Sequence, residues 1–168
     1  MRNKSLYPLL AIGCLLASVM PFSASAQLFS STTGAQCKSP SNGLGYSLTQ
    51  IRNVSPENRS VYCPLQNTNG DSADYEFIYV YLKNLGESAV DITCIAKSGH
   101  GPFIFVPAEY ATVSTTVSVG PGATTIAVFD GVTELDKVST ASHLAVYCGL
   151  PPSTAIDMIW WSESDPAV

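Results

Sequence analysis

Residues 75–96 read YEFIYVYLKN, LGES and AVDITCIA, and this stretch indicates two β-strands joined by a tight turn. Side chains alternate between the two faces of a strand, so Ile78, Val80 and Leu82 share one face while Tyr79 and Tyr81 share the other. In the second strand the same alternation puts Val90, Ile92, Cys94 and Ala96 on one face. Asn84, Gly86 and Ser88 supply turn residues between the strands. The stretch therefore predicts a β-hairpin at the centre of an all-β domain.

The rest of the chain shows the same short, β-rich runs, separated by Gly, Pro, Asn and Ser. Further strands are predicted at residues 46–53, 60–65, 103–106, 111–119, 123–130, 142–150 and 155–163. Residues 27–45 are expected to be irregular. Eight or nine short strands without a long amphipathic helix predict an all-β, two-layer antiparallel β-sandwich, Ig-like or jelly-roll, with a small barrel as the alternative.

The N-terminus resembles a signal peptide. Arg2 and Lys4 precede an apolar run at residues 6–20, and Ala24 and Ala26 fit the small-residue rule for signal peptidase. Residues 1–26 are therefore predicted to be removed, and residues 27–168 to form a single domain. The run of 15 residues is shorter than the roughly 20 that a membrane-spanning helix needs. Lipidation at Cys14 is a weaker alternative, because the residues that follow it are still apolar.

The predicted mature chain is acidic. The whole chain has a net charge of −5, and loss of Arg2 and Lys4 takes it to −7. Six scattered basic residues offer no electrostatic footprint for nucleic acid and no basic helix for an anionic membrane. We expect a secreted or periplasmic protein without membrane insertion and without a cofactor.

Four cysteines remain after cleavage: Cys37, Cys63, Cys94 and Cys148. An even number in an exported domain predicts two disulfides, for which three connectivities are possible. We favour Cys37–Cys63 and Cys94–Cys148, since the second pair would link two strands through their apolar faces. Zinc is the alternative, but the spacings contain no C-x₂₋₄-C knuckle, and no metal site is predicted.

The sequence around the cysteines resembles that of a known group. The motifs are QC at 36–37, IRN at 51–53, VYCPL at 61–65, ITC at 92–94 and VYCGLPP at 146–152, before a last apolar strand ending at Glu163. This pattern resembles a loose group of small exported bacterial proteins with four cysteines. The resemblance implies a β-sandwich in an exported bacterial setting, and it implies no activity and no catalytic residue.

Catalytic patterns are weak in this sequence. A nucleophile triad needs a base, and only His100, in a Gly-rich loop, and His143, in a predicted strand, are available. The polar loop at 66–74 contains oxygen donors but fails the EF-hand spacing, and the acidic residues form no evident pair. We therefore predict no catalytic residue, and a small secreted hydrolase using His100 is the less favoured alternative.

The arrangement of the aromatic residues is the feature of this sequence that suggests a binding role. Tyr75, Phe77, Tyr79 and Tyr81 alternate along one strand, and Trp160 and Trp161 lie on the last one. If Ile78, Val80 and Leu82 face the core, the aromatic row lies on the outside of the sheet, unless another layer covers it. We expect a non-catalytic exported protein with a structural or binding role. The alternative is a glycan-binding module that uses Tyr79, Tyr81 and one of the candidates Trp160 or Trp161, and the expected partner is a cell-surface glycan or another protein.

Overall fold

A computed structural model describes residues 28–66, 75–100, 109–129 and 143–163. These described residues form ten strands: β1 (Leu28–Thr33), β2 (Leu44–Tyr46), β3 (Ile51–Asn53), β4 (Arg59–Leu65), β5 (Tyr75–Asn84), β6 (Val90–His100), β7 (Glu109–Val119), β8 (Thr124–Phe129), β9 (His143–Leu150) and β10 (Thr154–Glu163). A short 3-10 helix, Gly34–Gln36, follows β1. None of the described helices is long and apolar enough to cross a membrane.

The strands form two antiparallel sheets, as the sequence predicts. The six-stranded sheet has the order β2-β3-β10-β5-β8, with β1 also pairing with β10, and the four-stranded sheet has the order β4-β9-β6-β7. The pairs β3–β10, β4–β9, β5–β8 and β6–β7 are nested in the chain and alternate between the sheets. This nesting is the jelly-roll arrangement among the predicted sandwich types, and the two separate sheets exclude a closed barrel.

The predicted strand count of eight or nine is too low, because two N-terminal segments differ from expectation. Residues 27–45, expected to be irregular, contain β1, which pairs with β10 over six residues. Small Ser and Thr side chains gave this strand no clear hydrophobic alternation, and its pairing partner lies at the other end of the chain. The single strand predicted at 46–53 is instead two short paired strands, because β2 ends at Tyr46, β3 begins at Ile51, and a turn lies between them in which Ser47 N–H donates to Gln50 O at 3.0 Å.

The predicted hairpin at 75–96 is wrong in its pairing, although both strands exist. β5 belongs to the six-stranded sheet and β6 to the four-stranded one. Both strands therefore direct their apolar residues into the shared core from different sheets, and the 85–89 connection crosses between the two layers. The predicted strand at 103–106 lies outside the described residues.

Two buried asparagines hold equivalent crossings between the sheets. Asn53 ends β3, and its Nδ2 donates to Glu57 O at 2.7 Å and to Leu150 O at 2.8 Å. Its Oδ1 accepts a hydrogen bond from Ser55 N–H at 2.8 Å. All three hydrogen bonds are made to backbone groups at the point where the chain leaves the sheet. The Asn53 side chain therefore supplies the partners that these groups would otherwise find in a neighbouring strand.

Asn84 repeats this arrangement at the end of β5. Its Nδ2 donates to Ser88 O at 2.7 Å and to Val119 O at 3.0 Å, and its Oδ1 accepts from Gly86 N–H at 2.8 Å. Val119 ends β7, just as Leu150 ends β9. Each asparagine therefore ties a corner of the six-stranded sheet to a strand end in the facing sheet.

The core lies between the sheets. Ile78, Val80 and Leu82 of β5 are fully buried, as are Ile92 and Cys94 of β6, so the predicted inward faces of both strands are confirmed. The largest fully buried side chains across the sandwich are Phe129, Ile51, Ile78, Leu82, Ile92, Leu144, Leu150, Ile156, Ile159 and Val61.

Both disulfides lie in this core, with the pairings favoured from the sequence: Cys37–Cys63 and Cys94–Cys148. Cys94 and Cys148 are directly opposed on β6 and β9, while Cys37 ties the segment after β1 to β4. The paired cysteines are 26 and 54 residues apart in the chain. By lowering the conformational entropy of the unfolded chain, the two bridges should stabilise the folded state by about 3.5 and about 4 kcal/mol, respectively.

Candidate functional site

The outer face of the six-stranded sheet carries the aromatic row. Phe77, Tyr79 and Tyr81 alternate with the buried aliphatic residues of β5 and are each half-buried. The Phe77 and Tyr79 rings stack, with centroids 4.6 Å apart and an interplanar angle of 22°. The row is therefore neither part of the sandwich core nor fully exposed.

Strands on both sides extend this row into a surface. Trp160 of β10 and Val128 of β8 lie directly opposite Tyr79, from its two sides. One step along the strands, Met158 and Ile126 flank Tyr81 in the same way. Directly opposed side chains have Cβ atoms about 5 Å apart, so these residues contact one another across the sheet. We call the following set the aromatic face: Phe77, Tyr79, Tyr81, Ile126, Val128, Met158 and Trp160.

Several members of the aromatic face are substantially exposed. Val128 is 43% exposed, Ile126 40% and Trp160 39%. Large apolar side chains at these values are ordinary when isolated, but here they are contiguous over three strands. The surface therefore resembles a contact site more than scattered apolar exposure.

Polar groups border the aromatic face. Ser31 and Thr33 of β1 lie opposite Trp160 and Met158, and Thr124, which begins β8, is exposed. Asp157 occupies a β-bulge, because the register with β5 shifts between Ile156 and Met158. Hydroxyl and carboxylate groups beside apolar rings supply hydrogen-bonding positions for a ligand that is itself partly polar.

The structure shows which of the two candidate tryptophans lies beside the tyrosines. Trp161 points to the other side of β10, is 3% exposed and belongs to the core. It also lines a cavity of about 360 Å³ beside β1 and β4. The other residues lining this cavity are Ser30, Ser31, Thr32, Gln36, Pro64 and Gln66. Adjacent residues on a strand face opposite ways, so only Trp160 joins Tyr79 and Tyr81.

The four-stranded sheet carries a smaller aromatic pair on its own outer face. Tyr62 of β4 lies opposite Tyr147 of β9, with ring centroids 5.1 Å apart. In the same cross-strand row, Ile95 of β6 lies opposite Tyr147 and is 39% exposed, while the next outward-facing pair consists of the small residues Ser60 and Gly149. The pair therefore belongs to a smaller apolar patch, separate from the aromatic face, and provides a reference for it.

The other candidate residues occupy separate places. His100 ends β6 and His143 begins β9, and their backbones lie at the same end of the four-stranded sheet, where Gly99 pairs with His143. The polar loop tested for calcium binding lies mostly outside the described residues. Within the described part of the chain, no three His, Cys, Asp or Glu residues are grouped as a metal ion would require.

No family model and no curated protein matches this chain. Among solved structures, the fold is similar to part of an exo-beta-1,3-galactanase from Phanerochaete chrysosporium, determined with galactose, at 12% sequence identity and a TM-score of 0.43. The match covers 80% of this chain and 29% of that chain, so this chain spans less than a third of that protein. A likeness at this level does not extend to activity.

Proposed function

We propose that this protein is an exported, non-catalytic glycan-binding module whose contact surface is the aromatic face. The observation that carries the proposal is the pair of cross-strand rows, Trp160–Tyr79–Val128 and Met158–Tyr81–Ile126, on the outside of the six-stranded sheet. Both rows lie on a β-sheet whose other side is the core, so the surface is held rigid before a ligand arrives.

The chemistry of the aromatic face suits a sugar. A pyranose ring has an apolar C–H face and a rim of hydroxyls, and it stacks on aromatic rings while its rim forms hydrogen bonds. Tyr79, Tyr81 and Trp160 supply rings that also carry polar groups. Ser31 and Thr33 lie on β1 beside them, within the same sheet. A neutral glycan also suits a chain of net charge −5, which would repel anionic ligands.

Two features support an exported setting for this role. The two disulfides are compatible with an oxidising, extracytoplasmic compartment. The signal peptide predicted at residues 1–26 lies outside the described residues and stays a prediction. A role in binding another protein through the same surface is the second candidate, since contiguous apolar surface also suits a protein interface.

A pull-down on insoluble cellulose, chitin and peptidoglycan tests the proposal. The probe is the disulfide-bonded chain of residues 27–168, with serum albumin as the negative control. We expect retention on at least one of these polysaccharides, and we expect it to persist in 1 M NaCl because stacking does not depend on long-range charge.

Two results would count against the proposal. No retention on any of the three materials would remove support for a glycan ligand and favour the protein-binding role. Release of soluble reducing sugar, abolished by His100→Ala, would establish a hydrolase and overturn the non-catalytic assignment.

A further inference from the structure

β7 is a long edge strand without the usual protection against pairing. It ends the four-stranded sheet, and no described strand pairs with its outer edge. It spans eleven residues, and the nine from Ala111 to Val119 contain no proline and no charge. Natural proteins usually protect such edges with charges, prolines or bulges, because the unpaired backbone groups accept another strand.

The opposite edge of the same sheet is protected. β4 contains Pro64, which has no N–H to donate, and its other backbone groups are engaged in part by Lys38. Tyr62 N–H donates to Lys38 O at 2.7 Å, and Lys38 N–H donates to Tyr62 O at 2.7 Å. Among the described strands, the two edges of this sheet therefore differ, since β4 is partly covered and β7 pairs only with β6.

The sequence of β7 is chemically palindromic. Residues 111–119 read ATVSTTVSV, and around Thr115 each residue matches its mirror position in type. The mirror pairs are Ser114 with Thr116, Val113 with Val117, Thr112 with Ser118, and Ala111 with Val119. Reversal of the strand therefore preserves the order of apolar and hydroxyl residues.

We propose that two copies of this chain pair antiparallel through β7, around a two-fold axis at Thr115. A two-fold interface needs a surface that complements itself, and antiparallel pairing of a palindromic strand meets this condition. Ser114 would then lie opposite Thr116 of the partner subunit on the outer face. Val113 would lie opposite the partner's Val117 on the inner face.

The contacts that β7 already makes are of the same kind as those expected in the dimer, with hydroxyl groups on the outer face and valines on the inner face. Thr116 already shares a 2.9 Å hydroxyl contact with Thr93 of β6, in the outer row that the dimer would continue. Val113 and Val117 pack against the core but are only partly buried. A second β7 would cover their remaining exposed area, and would pair the backbone groups of the edge.

Pairing through β7 limits the assembly to a dimer. Once the two β7 strands are joined, the outer edges of the combined eight-stranded sheet are the two protected β4 strands. Growth into a filament by this route therefore stops at two copies. The interface consists mainly of one strand pair, so we expect a reversible dimer whose population rises with protein concentration.

A charge-swap experiment tests this pairing. One double variant has Ser114→Lys and Thr116→Lys, and the other has Ser114→Glu and Thr116→Glu; all four substitutions are at exposed positions of β7. In the proposed register each variant places like charges directly opposite one another, so each alone should be monomeric by sedimentation velocity while the unchanged chain forms dimers. Mixed in equal amounts, the two variants should form a heterodimer.

The control carries the same added charge at the far edge, as Ser60→Lys and Gln66→Lys. It should dimerise like the unchanged chain, and thermal melts should show that every variant folds. A monomeric unchanged chain at all concentrations up to about 1 mM would overturn the proposal. Dimers that persist in either charged variant, or a mixture that stays monomeric, would also overturn it.

Discussion

At the scale of single residues, Asn84 does more than favour a turn. Its side chain makes three hydrogen bonds to backbone groups and is completely buried. We expect Asn84→Ala to lower the free energy of unfolding by about 2–5 kcal/mol, because buried backbone groups lose their partners. A urea melt monitored by tryptophan fluorescence measures this change.

Asn84→Asp separates the role of the amide nitrogen from that of size. Aspartate keeps an acceptor for Gly86 N–H but places an oxygen against the carbonyls of Ser88 and Val119. It should therefore destabilise the protein at least as much as alanine does. Asn58→Ala, at an exposed position, is the control and should change stability by less than about 0.5 kcal/mol. A fully tolerated Asn84→Asp variant would show that the two Nδ2 bonds contribute little.

Residue faces could be predicted from the sequence, while these asparagine roles could not. Alternation in β5 is a local pattern, and it correctly placed Ile78, Val80 and Leu82 inside. Asn53 and Asn84 instead depend on carbonyls that lie 97 and 35 residues away in the chain. A motif of Asn followed two residues later by Ser or Gly at a strand end was the only local sign.

At the scale of elements, β5 has two faces with different expected contributions to stability. Ile78→Ala removes part of a buried side chain and should cost about 2–5 kcal/mol. Tyr79→Ser removes a half-buried ring that stacks on Phe77, and should cost about 1–2 kcal/mol. Denaturant melts of the two variants compare these costs. If Tyr79→Ser proved as costly as Ile78→Ala, the aromatic face would behave as a second core, covered by another layer.

Which strands pair was less predictable than which residues form strands. β5 and β6 both formed, but they belong to different sheets, so the 85–89 link crosses between layers. The pairing of β1 with β10 joins the two ends of the described chain, which no local pattern records. The disulfides were easier to predict, because their cysteines lie on apolar faces.

At the scale of the whole molecule, the jelly roll provides two outer sheet faces that differ in chemistry. The six-stranded sheet presents seven contiguous large side chains, and the four-stranded sheet presents a smaller patch of Tyr62, Tyr147 and Ile95. The sequence predicted an aromatic surface but could not separate Trp160 from Trp161, because the strand's rotation about its axis is set by packing. Binding through one outer face and pairing through the β7 edge use different parts of the fold.

The most direct test of the central claim compares these two aromatic pairs. The double variant Tyr79→Ser with Trp160→Ser removes the centre of the aromatic face, and Tyr62→Ser with Tyr147→Ser removes the reference pair. The measurement is a binding isotherm on whichever of cellulose, chitin or peptidoglycan retains the unchanged chain, after thermal melts confirm that both variants fold. We predict that the first variant binds at least about 100-fold more weakly, since buried aromatic contacts dominate such interfaces, and that the second binds within about threefold of the unchanged chain. Unchanged binding by the first variant, or loss of binding in the second alone, would contradict the assignment of the aromatic face as the glycan site.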